Sequence, residues 1–245
     1  MPITPTSTQS TTDVMVEVRQ VSNPDDELIK RAVRSRIRAE RRVRPAERRN
    51  ADAEALTIVV RELPEVARAR CVALYAAMPD EPDTEPLRRA LRASGVRVLL
   101  PIVLDGSQLD WADDDGDLRP ATRLGGPEPT GPRLGPDGVQ LAQVVLIPAL
   151  AVDTLGNRLG QGAGYYDRTL PLLGPSVPVL AVVHDNEVLD AAIEPIPAEP
   201  HDVPVDAVIT PHRCLRLRIG IAGRDHARCR LDALGAPRMS ERHRA

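Results

Sequence analysis

The stretch CVALYAAMPDEPDTEPLRRALRASGVRVLLPIV, residues 71–103, decides the fold that we predict for this chain. Two short apolar runs, residues 71–76 and 96–103, have the length and composition of buried strands. Between them, residues 84–94 have the signals of a helix, with Thr84 as a candidate cap at its start. Strand, helix and strand in this order predict a βαβ unit with two parallel strands.

Three more apolar runs extend this alternation along the chain. Residues 144–147, 179–183 and 205–209 are further strand candidates, and a helix that starts near Tyr165 separates the first two. Continuous apolar strands that alternate with helices are typical of a parallel sheet buried on both faces. We therefore predict an α/β fold: a single three-layer domain with a mostly parallel sheet and helices on both faces.

The remaining segments set the predicted domain boundaries. Residues 1–22 have no hydrophobic periodicity and are predicted to form a disordered leader. The domain is assigned to residues 23–212, and the Arg-rich residues 213–245 are treated as a poorly ordered extension without a partner in the strand pattern. Within the domain, residues 105–138 are acidic and rich in Gly and Pro, so we expect exposed loops there, with one short strand near residues 109–112.

The first helix is predicted to begin near Asp25, because acidic residues favour the positive end of a helix. A second helix opens at Pro45. The apolar side of the first helix is assigned to residues at helical spacing: Leu28, Ile29, Val33 and Ile37. Its other side carries many arginines and Lys30, the only lysine of the chain. A compact ammonium among arginines indicates a position between phosphate oxygens, and chance in an Arg-rich composition is the alternative.

Composition and charge exclude several classes of protein. The 245 residues contain 32 Lys and Arg against 35 Asp and Glu, and a net charge of −3 is not that of a nucleic-acid binder. No window approaches the about 18 consecutive apolar residues of a membrane span, and the first residues lack the apolar centre of a secretion signal. The 3 cysteines are too few for a disulfide framework. We expect a cytoplasmic monomer that binds a small molecule, with no nucleic-acid or membrane partner.

The stretch DTLGNRLGQGAGYYDR, residues 153–168, is the most informative for function. It contains three alternating glycines, Gly160, Gly162 and Gly164. Because they lack side chains, their backbone amides can approach a phosphate closely. Arg158 can add a charge-assisted contact, and the Asp167 carboxylate can hold Mg²⁺ against the phosphate. The alternative is an irregular turn in which these residues have only structural roles.

The same stretch resembles, residue for residue, the R-L-G-x-G-x-G-Y-Y-D signature of the 5-formyltetrahydrofolate cyclo-ligase family, also called the 5,10-methenyltetrahydrofolate synthetases. The resemblance covers about residues 25–211. The other matching positions are Lys30 and Arg34, the loop from Met78 to Thr84, the Glu128-Pro129 pair, and His201, Asp202 and Asp206. Because the signature is long and the matches keep their order, the resemblance is specific.

The resemblance implies an α/β ligase that depends on ATP and Mg²⁺. Such an enzyme converts 5-formyltetrahydrofolate, with or without a polyglutamate tail, to 5,10-methenyltetrahydrofolate and releases ADP and phosphate. In the implied mechanism, ATP phosphorylates the formyl oxygen and N10 then attacks the activated carbon. A non-catalytic relative that binds folate or nucleotide in a regulatory role is the alternative.

The resemblance also implies a role for individual positions. The ATP-binding positions are Lys30, Arg34, Arg158, Leu159, Gly160, Gln161, Gly162, Ala163, Gly164, Tyr165 and Tyr166, of which Lys30 and Arg158 are the catalytic candidates. The folate-binding positions are Met78, Asp83, Gln161, Gly162, Ala163, Gly164 and Tyr165. Asp167 and Asp202 are the expected magnesium ligands.

Two readings of particular residues stay open at this point. His201 is either a base or, as is more usual for a His beside an Asp in a loop, a hydrogen-bonded structural residue. The Arg-rich first helix is a possible nucleic-acid contact, but no aromatic residue is interleaved with its arginines to stack on bases.

Overall fold

The structure is a computed structural model that describes residues 23–120, 126–199 and 202–217. The predicted leader lies outside the described residues, as does most of the predicted extension. No helix in the described ranges has both the length and the apolarity needed to cross a membrane.

The helices and strands follow the predicted order. In the described residues the α-helices are α1 (Pro24–Arg42), α2 (Ala46–Arg61), α3 (Pro64–Ala67), α4 (Glu85–Ala93) and α5 (Tyr165–Thr169). The strands are β1 (Cys71–Ala73), β2 (Arg97–Val103), β3 (Leu109–Asp113), β4 (Leu118–Arg119), β5 (Glu128–Pro129), β6 (Val144–Pro148), β7 (Ala151–Asp153), β8 (Arg158–Leu159), β9 (Val179–Val182), β10 (Val188–Leu189), β11 (Ala207–Ile209) and β12 (Cys214–Arg216). Each predicted strand and helix is therefore present, with ends that shift by a few residues.

The central sheet has seven strands in the order β12-β11-β9-β6-β1-β2-β3. The strands from β11 to β2 are parallel, and β3 and β12 are antiparallel strands at the two edges. β1 and β2 are parallel neighbours, with Val72 opposite Val98, so the predicted βαβ unit is confirmed. The fold is α/β with a mostly parallel sheet, as predicted.

Alternate residues of the sheet strands belong to two hydrophobic layers. In β6, Val144 and Leu146 pack in one layer with residues of α2 and α4. Val145 and Ile147 pack in the other layer, with residues of the 3₁₀ helix Pro136–Leu141 and of the segment around α5. Because both faces of the sheet are covered, the inner strands β1, β6, β9 and β11 are apolar at every position, which explains the continuous apolar runs in the sequence.

α1 lies apart from these two layers and packs on a small sheet. The strand order of that sheet is β10-β7-β8. Val33 and Ile37 of α1 form a third hydrophobic cluster with residues of this sheet and the segment after it, among them Leu159 and Leu189. This contact holds α1 beside β8, which is followed directly by the three alternating glycines of residues 160–164.

The predicted apolar side of α1 is partly wrong. Leu28 and Ile29 are 60% and 44% exposed, whereas Lys30 and Arg41 are buried. The physical reason is that the buried side of α1 meets acidic partners as well as apolar ones, and Glu187 is the partner of Arg41. Val33 and Ile37 are buried as predicted, so hydrophobic periodicity identifies the buried side in the middle of the helix and fails in its first turn.

Arg41 and Glu187 form a buried ion pair that connects α1 to the segment after β9. Arg41 Nε donates to Oε1 of Glu187 and Nη2 donates to Oε2, each at 2.7 Å. The same Nη2 donates to the Ala149 carbonyl oxygen at 2.7 Å. Glu187 also accepts a hydrogen bond from the backbone amide of His184 at 2.7 Å. Both buried charges are thus paired and hydrogen-bonded, as burial of ionised groups requires.

His184, beside this pair, has a lowered pKa. Burial, together with the positive charges of Arg44 and Arg41, lowers the pKa of His184 to about 3. Asp52 lies 3.7 Å from His184 Nδ1, but its carboxylate is already paired with Arg44 and Arg48. His184 is therefore neutral in the folded protein at neutral pH.

The neutral His184 is expected to make stability depend on pH. In the unfolded chain its pKa returns to about 6.5, so the unfolded state takes up a proton as the pH falls below that value. The stabilising contribution is complete above about pH 6.5 and is lost as the pH falls towards 3. Urea titrations at about pH 7.5 and pH 5 should show the free energy of unfolding lower by about 2 kcal/mol at pH 5 because of this group. His184→Gln should remove this part of the pH dependence. If the free energy of unfolding of that variant depends on pH as strongly as that of the wild type, His184 is not the group responsible.

Strand β12 corrects the predicted end of the folded region. The stretch from Arg213 has no partner in the sequence pattern, yet Cys214–Arg216 pairs antiparallel with β11. Arg216 also forms an ion pair with Glu65 of α3, with Nη1 and Oε1 2.6 Å apart. A strand of three partly exposed residues produces no apolar run, and this explains why the sequence does not reveal it.

Two polar side chains have roles that differ from the predicted ones. Thr84 occupies the N-cap position of α4, but its hydroxyl donates to the Tyr75 carbonyl oxygen at 2.6 Å and does not cap the helix. Asp114 belongs to the segment predicted as exposed loops, yet it is buried. Arg88 of α4 donates to both of its carboxylate oxygens, at 2.8 and 2.9 Å. Both contacts join segments that sequence spacing does not bring together.

Candidate active site

A cavity of about 520 Å³ opens at the carboxyl ends of the parallel strands. It lies beside β1 and β6, the neighbouring strands from which the chain proceeds to opposite edges of the sheet. Loops that leave such strands diverge, and open α/β sheets bind ligands in the crevice between them. The cavity wall includes Tyr75 and Ala76 after β1, and Pro148 and Ala149 at the end of β6.

α1 lines one side of the cavity with cations. Lys30, Arg34 and Arg38 are spaced four residues apart, so all three project from one face of the helix. The Lys30 side chain is 10% exposed, with Nζ 3.6 Å from Glu199 Oε1 and 4.0 Å from Glu27 Oε1. At these distances the two carboxylates offset the charge of the Lys30 ammonium without forming a short hydrogen bond to it. An anionic ligand can therefore still bind the ammonium.

The same helix face holds the glycine loop, residues 160–164. Arg34 Nε donates to the Gly160 carbonyl oxygen at 3.1 Å. Arg38 donates to the side-chain oxygen of Gln161 at 2.7 Å and to its carbonyl oxygen at 3.1 Å. The cations of α1 and the glycine loop are therefore in direct contact, as the joint assignment of Lys30 and this loop to one site requires.

Two glycines give the loop its shape. Gly162 has a φ of +101° and Gly164 a φ of +72°. Residues with a Cβ rarely adopt this left-handed region, so glycine is needed at both positions. A Cβ at Gly162 would also lie 3.8 Å from the Arg34 guanidinium, in the space between loop and helix.

Asp153 fixes the turn that leads into β8 and the loop. Its fully buried carboxylate accepts hydrogen bonds from the backbone amides of Leu155, Asn157 and Ile196, at 2.9 to 3.1 Å. A carboxylate that pairs with several amides holds the backbone in one conformation. Sequence reasoning placed Asp153 at the start of the stretch and did not identify this role.

Arg158 and Asp167 form an ion pair, and both line the cavity. The Arg158 side chain is 7% exposed. Its Nε is buried and has no hydrogen-bond partner in the described part of the chain. Because an unpaired buried donor is costly, this atom indicates that the site is completed by an acceptor from a ligand.

A buried acid, Glu81, faces the same cavity. Its Oε2 accepts a hydrogen bond from the Met78 amide at 3.0 Å. Burial raises the pKa of Glu81 to about 7. Sequence reasoning missed Glu81, although its place inside the loop from Met78 to Thr84 is a signal that identifies it.

Two tyrosines complete the wall near this acid. Tyr75 is buried, and its hydroxyl donates to the Pro82 carbonyl oxygen at 2.8 Å. Burial raises the pKa of Tyr75 and of Tyr166 well above the ordinary value, and the charge of Glu81 acts in the same direction. Both hydroxyls therefore stay protonated at neutral pH and can act as hydrogen-bond donors.

The structure brings most of the predicted site residues to this one cavity. Those that line it are Lys30, Arg34, Met78, Arg158, Leu159, Gly160, Gln161, Gly162, Ala163, Gly164, Tyr165, Tyr166, Asp167 and Asp202. Asp83 does not line it, and its exposed carboxylate accepts a hydrogen bond from the Glu85 amide at 2.9 Å. His201 lies outside the described residues.

Two of the acids in the cavity wall, Asp167 and Asp202, suit a magnesium ion that arrives with a phosphorylated ligand. Magnesium usually keeps several waters and binds one or two carboxylates together with phosphate oxygens. Within residues 23–120, 126–199 and 202–217, no three His, Cys, Asp or Glu side chains converge as a metal site. The two carboxylates therefore fit a magnesium site that phosphate oxygens and waters complete. They do not fit a site in which every ligand comes from the protein.

Comparison with known proteins agrees with this geometry. The profile of the 5-formyltetrahydrofolate cyclo-ligase family matches residues 27–211. A 5-formyltetrahydrofolate cyclo-ligase from Mycolicibacterium smegmatis is 39% identical over 193 residues, which cover 75% of this chain and 94% of that protein. A protein of the same name from Escherichia coli K12 is 31% identical over 157 residues, which cover 61% of this chain and 82% of that protein.

Solved structures lead to the same group. The NMR structure of an Aquifex aeolicus 5,10-methenyltetrahydrofolate synthetase has a TM-score of 0.65 at 27% identity, and the match covers 78% of this chain and 94% of that chain. The structure of a 5,10-methenyltetrahydrofolate synthetase from Mycoplasma pneumoniae, with a TM-score of 0.59 at 22% identity, covers 74% of this chain and 98% of that chain and supports the fold alone. The chain therefore belongs to the 5-formyltetrahydrofolate cyclo-ligase family.

Proposed function

We propose that this protein catalyses the ATP- and Mg²⁺-dependent conversion of 5-formyltetrahydrofolate to 5,10-methenyltetrahydrofolate, with release of ADP and phosphate. One observation carries the proposal: a single cavity joins the cationic face of α1, the glycine loop and an apolar wall. Such a cavity can hold a triphosphate and a flat organic ring next to each other. Membership of the family supports the same reaction.

Lys30, Arg34 and Arg158 are proposed to bind the triphosphate. The Lys30 ammonium can lie between phosphate oxygens as a point charge, which a guanidinium cannot do. The unpaired Nε of Arg158 gains an acceptor when a phosphate oxygen is bound. The glycine loop adds backbone amides that no side chain shields.

Asp167 and Asp202 would hold the magnesium ion. When bound, the ion neutralises charge on the phosphate oxygens. The Arg158 side chain pairs with Asp167, so the carboxylate is kept on the part of the loop that lines the cavity. The phosphate-binding cation and the metal ligand are thereby held next to each other.

The folate is proposed to occupy the part of the cavity beside Met78. The apolar residues of the cavity wall include Pro101, Val103 and Leu109. Residues 161–165 of the glycine loop adjoin both this region and the α1 cations, so the formyl group and the terminal phosphate can meet at the loop. Asp83 does not line the cavity and has no role in this proposal.

The mechanism follows from the chemistry of the formyl group. The formyl oxygen is a poor leaving group, so it is first phosphorylated, after which N10 attacks the activated carbon and loses its proton, and phosphate departs as the ring closes. The reaction needs no covalent bond to the protein. Lys30 and Arg158 align the transferred phosphoryl group and stabilise the charge that develops on it, and each such contact contributes on the order of several kcal/mol.

An absorbance assay for 5,10-methenyltetrahydrofolate tests this function. Purified protein with 5-formyltetrahydrofolate, ATP and Mg²⁺ should form the product together with an equal amount of ADP. Chelation of the metal with EDTA should stop the reaction, and added Mg²⁺ should restore it. The regulatory binder would bind either ligand without forming ADP, so the absence of folate-dependent ADP release would reject the proposed enzyme in its favour.

A further inference from the structure

We propose that Arg38 is a positioning residue that holds the glycine loop in the conformation that binds the triphosphate. This inference rests on the proposed function. The matching motif positions of α1 are Lys30 and Arg34, and they do not include Arg38. Arg38 acts through Gln161 of the loop, and its effect on the ligand comes from the loop that it holds in place.

The guanidinium of Arg38 makes three hydrogen bonds to one residue of the loop. Its Nε and Nη2 both donate to the side-chain oxygen of Gln161, at 3.1 and 2.7 Å. The same Nη2 donates to the Gln161 carbonyl oxygen at 3.1 Å. One planar group therefore fixes the side chain and the backbone of Gln161 together, which only the rigid donor geometry of arginine allows.

The glycine loop has few other constraints. Residues 161–163 are exposed, and in the described part of the chain the amides of residues 161–164 donate to no protein acceptor. The loop is instead held through its carbonyl oxygens. Arg34 donates to that of Gly160 at 3.1 Å, Arg38 to that of Gln161, and Arg168 to that of Gly164 at 3.0 Å. Three arginines thus bind the carbonyls and leave the amides available to a ligand.

The bond to the Gln161 carbonyl also sets the direction of an amide. In a planar trans peptide group, the carbonyl of Gln161 and the amide of Gly162 point in opposite directions. Arg38 therefore fixes the direction of the Gly162 amide, which the proposed function assigns to phosphate binding. Without this bond the peptide group can turn, because a glycine has access to many backbone conformations. ATP would then have to order the loop as it binds, and its apparent affinity would fall.

Direct contact of Arg38 with a phosphate is the competing role. Arg38 lines the cavity, so its charge is close to the proposed ligand. Its Nε and Nη2 are already bound to Gln161, however, and this favours a role in positioning the loop. Lysine separates the two roles, because it keeps the positive charge and lacks the planar set of donors.

Kinetics of Arg38→Met and Arg38→Lys distinguish these roles. If Arg38 positions the loop, KM for ATP should rise about 10-fold in Arg38→Met, while kcat stays within about twofold because saturating ATP orders the loop. Arg38→Lys should show nearly the same rise. If Arg38 instead binds phosphate directly, Arg38→Lys should keep a KM close to that of the wild type.

Gln161→Ala tests whether Arg38 acts through Gln161. The double variant Arg38→Met with Gln161→Ala should have a KM for ATP no higher than that of Arg38→Met alone, because both changes break the same contact. If the two changes multiply in their effect on KM, Arg38 acts independently of Gln161, and the inference is wrong.

The mobility of the loop is a readout that does not depend on activity. In the ligand-free wild type, the backbone ¹⁵N order parameters of residues 161–164 should be near the value of about 0.85 that is typical of a rigid backbone. In ligand-free Arg38→Met they should fall below about 0.6, while thermal melting confirms that the variant is folded. Unchanged order parameters in this variant would overturn the inference.

Arg42→Met is the matched control. Arg42 lies one turn beyond Arg38 on α1, is exposed and does not line the cavity, so the variant removes the same charge from the same helix. Its KM for ATP should stay within about twofold of the wild type, because an exposed charge outside the site is screened. A wild type that forms no 5,10-methenyltetrahydrofolate would reject the proposed function, and the order parameters would still show whether Arg38 holds the loop.

Discussion

Lys30→Ala is expected to lower ATP-dependent turnover by about 10²-fold or more while the protein keeps its fold. The ammonium lies in the cavity beside Arg34 and the glycine loop, where it can stabilise charge on the transferred phosphoryl group. Its acidic neighbours are 3.6 and 4.0 Å away, and ion pairs at such separations contribute little to stability. Absorbance kinetics of 5,10-methenyltetrahydrofolate formation, together with thermal melting, measure both effects.

Arg36→Ala is the matched control for Lys30→Ala. Arg36 is on the same helix and 41% exposed, it pairs with Glu40 and Glu194, and it does not line the cavity. Its removal should leave turnover within about twofold of the wild type, because exposed cations outside the site do not touch the substrate. Equal turnover in the wild type and Lys30→Ala would contradict the assignment of Lys30 to the triphosphate.

Arg41→Met is expected to destabilise the protein by about 3–5 kcal/mol. Among the described residues, the variant leaves the buried Glu187 carboxylate with only the His184 amide as a partner, and it removes the hydrogen bond to the Ala149 carbonyl oxygen. For a chain of this length, such a loss corresponds to a fall in Tm of roughly 10 °C. Urea denaturation followed by circular dichroism gives the free energy of unfolding directly.

The double variant Arg41→Met with Glu187→Leu tests the cause of this loss. If the unpaired buried charge dominates, the double variant should be more stable than Arg41→Met alone, because neither charge then remains buried without its partner. If the double variant loses as much free energy of unfolding as the two single variants together, the unpaired charge is not the cause of the destabilisation.

The sequence predicts the inner strands of the central sheet well because they are buried on both faces. Burial makes each inner strand an apolar run, and the helix between β1 and β2 has a Pro in its first turn and a Gly after its end. Strand β12 could not be predicted, since a short edge strand with partly exposed side chains has no such run. The burial of Arg41 in α1 could not be predicted either, because a charged side chain can be buried when an acid that is distant in the sequence pairs with it.

The candidate site could be predicted as far as its local motif extends. Arg158, the glycine loop and Asp167 are contiguous, so their spacing alone places them together. The contacts between the cations of α1 and the loop join residues more than 120 positions apart, and only the matching motif position of Lys30 indicated them. Glu81 and Asp83 show the limit of such matching, since neighbouring acids in one loop have opposite environments that only the fold reveals.

Strand β12 also bears on how the protein should be cut for expression. The family profile ends at residue 211, and β12 covers the open side of β11 from residue 214 to 216. A fragment that ends at residue 211 would expose the unpaired backbone amides and carbonyls at one edge of β11. Exposed edges of this kind pair with strands of other molecules. Recombinant fragments that end at residue 211 should therefore aggregate, whereas those that continue to Leu217 should remain dispersed.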